Sequence, residues 1–373
     1  MESPKISKFK MPVDMRTRKL AQVVVRHSVF VKPGEKVIIS GGIEAVPFMV
    51  ELYKEVILQK AHPIVRFHLP EVSDFFYKYA TKEQLEKFPE ESMNLVKGAD
   101  KYIGIVSDLN TRQLSNSDSK KISRRAKIVH PVSDYICNER DKIRRCTVAY
   151  PVHAQAQEAE MSLSEYENFV YGACLQDWKN LGKQFEKISN VFEKGSVVHL
   201  IGDGVDLKFS IKGKNCVADN GEDNMPGGEV FMAPVRESLN GWIKFDYPAI
   251  ESGKEVCDIF LKFEKGKVVE SKASKNQDFL KEMLNTDENA SYVGEFGIGC
   301  NPKIRQFTKE LLFDEKIGGT IHLALGMAYK ENGGGNDSEI HWDIVKDMKK
   351  AKIILDGKVV QENGEWKIKG VKL

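Results

Sequence analysis

Polar side chains of the types that bind divalent cations recur through the second half of this 373-residue chain. They are Glu229, Glu295, Glu315, His322, Tyr329, His341 and Asp343. Two of the carboxylates begin apolar, glycine-spaced stretches, PGGEVFMAP and GEFGIG, where burial is costly unless the charge finds a partner. Imidazole, carboxylate and phenol groups suit zinc, manganese or cobalt. The set therefore predicts a metal site with enough donors for two ions.

The spacing of His341 and Asp343 is the most informative local signal. Residues i and i+2 of a strand point to the same face, so a strand through HWD directs both side chains to one cluster. Trp342 would then face the other side. Two ions that share a carboxylate can also share a water, lower its pKa and hold both sides of a scissile bond. The pattern indicates hydrolysis by an activated water.

Each candidate also has a plain structural explanation. Glu229 and Glu295 could cap turns at strand ends, and Tyr329 could simply pack. His322 could be a core histidine bonded to a backbone carbonyl. Glu315 stands in the run DEK, which is typical of a solvated charged turn, and the later tract GGGND predicts a mobile surface loop. Only the co-occurrence of these residues favours a metal site.

The composition argues against several classes of protein. The 56 Lys and Arg nearly balance the 54 Asp and Glu, which speaks against a chain that coats nucleic acid or an anionic membrane. The basic clusters KKISRRAK and RDKIRR lack interleaved aromatic residues, so we expect solvated element edges. The start, MESPKISKFKMP, carries charges where a signal peptide needs an apolar core. The six cysteines show no CxxC spacing and fit free thiols in the cytoplasm.

The elements of the first half alternate between strands and helices. VIIS, PIVRFH and YIGIV are apolar strand signals with helical stretches around them. This rhythm predicts an α/β amino-terminal domain with a mostly parallel sheet, residues 1–188. The glycines of SGGIEA lack GxGxxG spacing, which favours a tight turn over nucleotide binding. A long helix through MSLSEYENFVYGACLQDWKNLGKQFEKI, capped by Ser164 with Glu167, is expected to end the domain.

From residue 189 onward, closely spaced strand signals replace the alternation. SVVHLIG, VDLKFSIK and GEVFMAP are examples, and hairpins turn at Lys265-Gly266 and Asp356-Gly357. One helix, near residues 278–284, interrupts them. The pattern predicts a β-rich α+β carboxy-terminal domain, residues 189–373, with mainly antiparallel strands and the metal site.

The motifs PGGEVFMAP, GEFGIGCNP, FDEKIGGTIHLALGMAY and HWD, in this order, resemble those of the aminopeptidase T family of metallopeptidases, which includes aminopeptidase S and PepS. The resemblance extends from YPVHAQAQEAEMSLSEYENFVYGA to LDGKVVQENG and covers most of the chain. It implies a cytosolic homodimer whose metal-bearing carboxy-terminal domains face an enclosed cavity. It also implies an aminopeptidase with two divalent ions per chain that acts on peptides with a free amino terminus.

The resemblance assigns roles to individual residues. The metal ligands would be Glu229, Glu295, His322, Tyr329, His341 and Asp343. Glu295 is expected to bridge the ions, and Tyr329 to ligate weakly or to hydrogen-bond the developing oxyanion. Glu315 is expected to shuttle a proton to the leaving amine. Family members with FDENASCHLALG place this glutamate closer to the histidine, so the role of Glu315 stays open.

Two other functions stay open from the residues themselves. An esterase or phosphoesterase would use the same metals, although the nearest basic residues, Lys316 and Arg236, form no phosphate cradle. A non-catalytic module that binds a small ligand in its α/β half is the second alternative. A purely structural role is disfavoured, because buried carboxylates and histidines would then only cost stability.

Overall fold

The computed structural model describes residues 13–251 and 253–373. The charged start that argued against a signal peptide, residues 1–12, lies outside this part. Within the described ranges, no helix combines the length and the apolar character that crossing a bilayer requires.

The first half alternates helices and strands, as predicted. Its helices are α1 (Met15–Val23), α2 (Val46–Leu58), α3 (Val72–Tyr79), α4 (Lys82–Glu86), α5 (Glu90–Lys97), α6 (Ser119–Asn138), α7 (His153–Glu158), α8 (Leu163–Cys174) and α9 (Trp178–Glu193). Its strands are β1 (Lys36–Gly42), β2 (His62–His68), β3 (Lys101–Val106) and β4 (Arg144–Ala149). A π-helical turn (Val24–Ser28) extends α1, and a 3-10 turn (Ile43–Ala45) leads into α2.

The second half is rich in strands. They are β5 (Val197–Gly202), β6 (Val205–Ser210), β7 (Val217–Asp219), β8 (Asn224–Met225), β9 (Glu229–Met232), β10 (Asn240–Lys244), β11 (Ala249–Glu251), β12 (Lys254–Val256), β13 (Phe260–Glu264), β14 (Lys267–Lys272), β15 (Val293–Gly299), β16 (Thr320–Gly326), β17 (His341–Asp347), β18 (Ala351–Leu355), β19 (Lys358–Glu362) and β20 (Glu365–Trp366). The helical elements are α10 (Gln277–Leu284), α11 (Leu311–Asp314) and a 3-10 turn (Lys330–Asn332).

These strands form one parallel and several antiparallel sheets, as the sequence predicts. The parallel sheet has the order β2-β1-β3-β4-β8. An eight-stranded antiparallel sheet has the order β14-β13-β10-β6-β5-β18-β19-β20, and β11 pairs with β12. The remaining antiparallel sheet, β17-β16-β15-β9-β7, is called the site sheet below because it carries most of the candidate ligands.

The two halves share one hydrophobic core. Val148 of β4, Phe185 of α9 and Phe296 of β15 belong to the same cluster of buried side chains. Strand β8 comes from the second half but pairs with β4 of the first. The division predicted after residue 188 falls inside α9 and stays a prediction.

The long helix predicted across residues 161–188 is two helices, α8 and α9, and its predicted cap is wrong. The capping box at the start of α8 is formed by Ser162 and Glu165, whose side chains each accept a hydrogen bond from the other's backbone N–H. The sequence offers the Ser-x-x-Glu pattern twice, at 162–165 and at 164–167, and local spacing does not choose between them. Glu167 instead contacts Arg16 of α1 at 3.2 Å.

Arg112, in a loop of the first half, hydrogen-bonds residues of both halves. Its Nε and Nη2 donate to the two carboxylate oxygens of Glu158, each at 2.8 Å, and its Nη1 donates to the Gly253 carbonyl at 2.7 Å. The hydrogen bonds from Arg112 lower the pKa of Glu158 to about 2, against the opposing effect of burial.

We predict that Arg112→Met lowers the free energy of unfolding by about 1–3 kcal/mol at neutral pH, because a charge-assisted pair is lost. Since the pKa of Glu158 is lower in the folded chain, its stabilisation is present above its usual value of 4.5 and disappears as the pH falls towards about 2. Urea unfolding of the original protein and the Arg112→Met variant, at neutral pH and at about pH 3, measures the difference in unfolding free energy. A deficit that does not shrink in acid would contradict the prediction.

Candidate metal centre

One group of candidate ligands lies on three neighbouring strands of the site sheet. Glu229 begins β9, Glu295 lies in β15 and His322 lies in β16, and all three side chains are buried. His322 Nε2 lies 3.4 Å from Glu229 Oε2 and 3.3 Å from Glu295 Oε1. Antiparallel pairing therefore joins three residues that are far apart in sequence.

The imidazole of His322 has room because its neighbour across the sheet is a glycine. Gly297 of β15 is opposite His322 of β16. A Cβ atom built on Gly297 would lie 1.9 Å from His322 Nε2, far inside van der Waals contact. The missing side chain is thus what allows the ring to lie over β15 between the two carboxylates.

A second group of candidate ligands lies around β17. His341 Nε2 is 3.4 Å from Asp343 Oδ2, and His341 Nδ1 is 2.9 Å from the carbonyl oxygen of Met327. The two side chains share a face, as their spacing predicts, while Trp342 packs edge-on against Phe279. In the sheet register, Glu295 and Asp343 both lie opposite the small residue Ala324, one on each side.

Glu295 belongs to both groups. The ligand atoms of Glu229, Glu295 and His322 lie within 4.8 Å of one another, and so do those of Glu295, His341 and Asp343. Within the described residues, Glu229 Oε2, Glu295 Oε2 and Asp343 Oδ1 are buried without a hydrogen-bond partner. A buried carboxylate oxygen without a partner is costly, and a cation would satisfy each of these oxygens. The residues present therefore fit two divalent ions that share one carboxylate.

Lys316, which the sequence marked only as a nearby basic residue, is part of the centre. Its side chain is 0% exposed, its Nζ lies 3.1 Å from Glu229 Oε1, and it also hydrogen-bonds Glu315. Burial lowers its pKa, but the charges of Glu229, Glu315 and Asp219 outweigh burial and raise the pKa overall. The interpretation of DEK as a solvated turn is therefore wrong, since Asp314 and Lys316 are both buried.

The raised pKa values of the two histidines reflect the negative charge of the surrounding carboxylates. Burial alone would lower the pKa of His322, but Glu295, Asp343 and Glu229 raise it to about 9. Burial likewise opposes a rise at His341, where Asp343 is the main cause of a pKa of about 10. The pKa of Glu229 lies well above its usual value because of burial and then of Glu315. This excess of acidic groups favours cations.

The two remaining sequence candidates lie beside these groups. The ring of Tyr329 is 4.7 Å from the ring of His341, and burial, followed by the charges of Glu295 and Asp343, raises its pKa. Glu315 bonds Lys316 and belongs to neither ligand group found among the described residues. Its contact with Lys316, which also pairs with Glu229, links it to the first group without making it a ligand.

The connection between Tyr329 and His341 is more ordered than predicted. Asn336, in the tract GGGND, is buried and donates to the carbonyl oxygens of Gly326 at 2.6 Å and Asn289 at 3.0 Å. The prediction of a mobile surface loop is wrong at this residue, because its amide hydrogen bonds hold the connection against the site sheet.

Asp219 of β7 is a further acidic residue that no motif signalled. It lies opposite Glu229 in the register of β7 and β9, and its Oδ2 is buried without a hydrogen-bond partner in the described chain. Burial, opposed by Lys316, raises its pKa to about 7. Only strand pairing reveals its proximity to the centre.

Comparisons with known proteins agree with the geometry. The family described as thermophilic metalloprotease (M29) matches residues 13–366. Aminopeptidase AmpS of Bacillus subtilis (strain 168) is 28% identical over an alignment of 402 positions, which covers 93% of this chain and 97% of that protein. Aminopeptidase T of Thermus thermophilus is 37% identical over 136 residues, which cover 32% of this chain and 33% of that protein.

Two solved structures share the fold. Wild-type AmpT from Thermus thermophilus has a TM-score of 0.82 and 23% identity, and the match covers 95% of this chain and 99% of that chain. A 2,5-dihydroxypyridine dioxygenase from Pseudomonas putida KT2440 has a TM-score of 0.63 and 13% identity, with 97% and 100% covered. The fold therefore supports more than one chemistry, and the residues of the site must decide the function.

We predict that Gly297→Ala weakens zinc binding by about tenfold or more, because the new methyl group displaces the His322 ring. Equilibrium dialysis with zinc and circular dichroism measure the affinity and the fold. Gly172→Ala is the matched control, since a Cβ there meets no atom within 4 Å. Unchanged zinc affinity in a folded Gly297→Ala protein would contradict the assigned position of His322.

We also predict that Lys316→Met destabilises the metal-free protein by about 3–5 kcal/mol, because Glu229 loses its buried counter-charge. Zinc should restore more stability to this variant than it adds to the original protein, since a cation replaces the lost charge. Urea unfolding with a chelator and with zinc measures both effects.

Lys346→Met is the matched control for Lys316. Lys346 is also buried, at 2% exposed, but it pairs at 3.0 Å with Asp246, which is 46% exposed and can be hydrated. We expect a smaller loss and no additional rescue by zinc. Equal behaviour of the two variants would show that Lys316 does not act through the ligand carboxylates.

Proposed function

This chain belongs to the thermophilic metalloprotease (M29) family, and on that basis we propose that it is a metal-dependent aminopeptidase that releases amino-terminal residues from peptides. The relatives that align over most of its length bear the name aminopeptidase. The observation that carries the proposal is the pair of ligand groups that overlap at Glu295. A carboxylate common to both groups could hold two ions close together, as in two-metal hydrolytic sites.

The ligands divide between two ions. Glu229, Glu295 and His322 would hold one ion, and Glu295, His341 and Asp343 the other, with Tyr329 beside the second. When bound, such ions lower the pKa of a water and polarise a scissile carbonyl. Zinc, cobalt and manganese all suit these nitrogen and oxygen donors.

The chain's own residues would supply the remaining steps. Tyr329 has a raised pKa, so its phenol keeps its proton and can donate a hydrogen bond to the carbonyl oxygen as negative charge develops. Glu315, which contacts Lys316, would carry a proton to the leaving amine. The ion that Glu295, His341 and Asp343 would hold could accept a free α-amine, which a blocked amino end does not offer. This last preference would restrict cleavage to the first peptide bond.

The proposal extends to the organisation of the protein. Residues 1–188 and 189–373 would be the α/β domain and the catalytic domain of a homodimer. All six cysteines are free thiols, which supports a reducing, cytoplasmic location. Ester or phosphate-ester hydrolysis is less well supported, because Lys316 is already committed to Glu229 and Glu315 and does not form an anion cradle.

We predict that chelator-treated protein is inactive and that zinc, cobalt or manganese restores release of the first amino acid from an unblocked tripeptide. The N-acetylated form of the same tripeptide should resist cleavage, because it lacks the free amine. Amino-acid analysis of both reactions measures this. Equal cleavage of both peptides would remove the amine preference, and no cleavage with any metal would favour the small-ligand binding module.

A further inference from the structure

Arg145 of β4 has no carboxylate partner within the described residues. Its Nη1 makes three long contacts, at 3.3 Å to the carbonyl oxygen of Asp223, 3.4 Å to Thr147 Oγ1 and 3.5 Å to Asn224 Oδ1. Its Nε is buried without a hydrogen-bond partner in the described ranges. A guanidinium has five N–H donors, so most of the hydrogen-bonding capacity of Arg145 is unused.

The neighbouring arginines are paired. Arg144 hydrogen-bonds Glu222, and Arg140 contacts Asp223 at 2.9 Å and Glu331 at 2.6 Å. The nearby carboxylates are therefore engaged with other cations. A partly buried guanidinium without an anion is costly, which makes an external carboxylate an energetically favourable partner.

Contacts connect Arg145 to the metal centre. Its Nη1 hydrogen-bonds the backbone of Asp223, whose side chain shares Arg140 with Glu331. Glu331 lies in the 3-10 turn that directly follows Tyr329, the phenol beside His341. A chain of contacts through Asp223 and Arg140 thus links the Arg145 guanidinium to the turn that follows Tyr329.

We propose that Arg145 is a specificity residue that binds a carboxylate of the substrate peptide. The assignment rests on the aminopeptidase function proposed above. The carboxylate could be the carboxy terminus of a short peptide, since an extended chain advances only about 3.3–3.6 Å per residue. It could also be the acidic side chain of the first residue. In either case the planar guanidinium can make two parallel hydrogen bonds to it.

The test compares matched substrates with the metal-loaded enzyme. Leucyl-glycyl-glycine is paired with its carboxy-terminal amide, and glutamyl-glycyl-glycine amide with glutaminyl-glycyl-glycine amide. In Arg145→Gln, kcat/KM should fall about ten- to hundredfold for the carboxylate-bearing member of one pair and stay unchanged for its neutral twin. Loss in the first pair identifies the carboxy terminus, and loss in the second identifies the side chain.

Arg144→Gln is the matched control, because Arg144 is the adjacent arginine of β4 and already pairs with Glu222. It should keep the substrate ratios of the original enzyme. If Arg145→Gln does not fold by circular dichroism, Arg145→Lys replaces it, and the lost fork geometry should still lower the same ratio several-fold. Unchanged ratios in the Arg145 variant, or equal changes in the Arg144 variant, would overturn the assignment.

The same experiment distinguishes failure of the aminopeptidase function from failure of the role proposed for Arg145. An original enzyme that cleaves none of the four peptides with any metal would overturn the aminopeptidase function, and the role of Arg145 with it. An active enzyme whose ratios do not depend on Arg145 would overturn the role of Arg145 alone.

Discussion

The structure around the candidate centre depends on how several buried carboxylates are neutralised. Glu229, Glu295, Asp343 and Asp219 lie within one sheet of the second half, where isolated negative charge is costly. Lys316, which belongs to no recognisable ligand motif, offsets part of that negative charge, and the two histidines offset more of it. Within the described residues, each of these four carboxylates still has one buried oxygen without a hydrogen-bond partner. The remaining excess is the physical reason that this site suits cations.

Small residues lie opposite the ligands in the site sheet and leave room for the ligand side chains. On the face of the site sheet that holds the ligands, Gly299 lies opposite Glu229, Gly297 opposite His322, and Ala324 between Glu295 and Asp343. A Cβ on Gly297 would overlap the His322 ring, and a Cβ on Gly299 would overlap the Ile317 carbonyl oxygen. The antiparallel register therefore sets the distances between ligands, and the glycines and the alanine allow the polar groups to meet.

The first half contributes more than a scaffold. Its parallel sheet ends with β8 from the second half and shares a hydrophobic core with the site sheet, so β4 and the metal centre are held in one packed unit. This arrangement connects Arg145 of β4, through Asp223 and Arg140, to Glu331 in the turn that follows Tyr329. A related fold occurs in a dioxygenase, so the chemistry must reside in these side chains and not in the fold.

Local patterns were enough to predict a parallel sheet in the first half and antiparallel strands in the second, because strand and helix periodicity is local. They were also enough to predict that His341 and Asp343 share a face, since the pleat repeats every two residues. Folding was needed to reveal that Glu295 joins both ligand groups, that Gly297 makes room for His322, and that Lys316 is buried against Glu229. Those facts depend on strand register and on packing between distant segments, which local spacing does not encode.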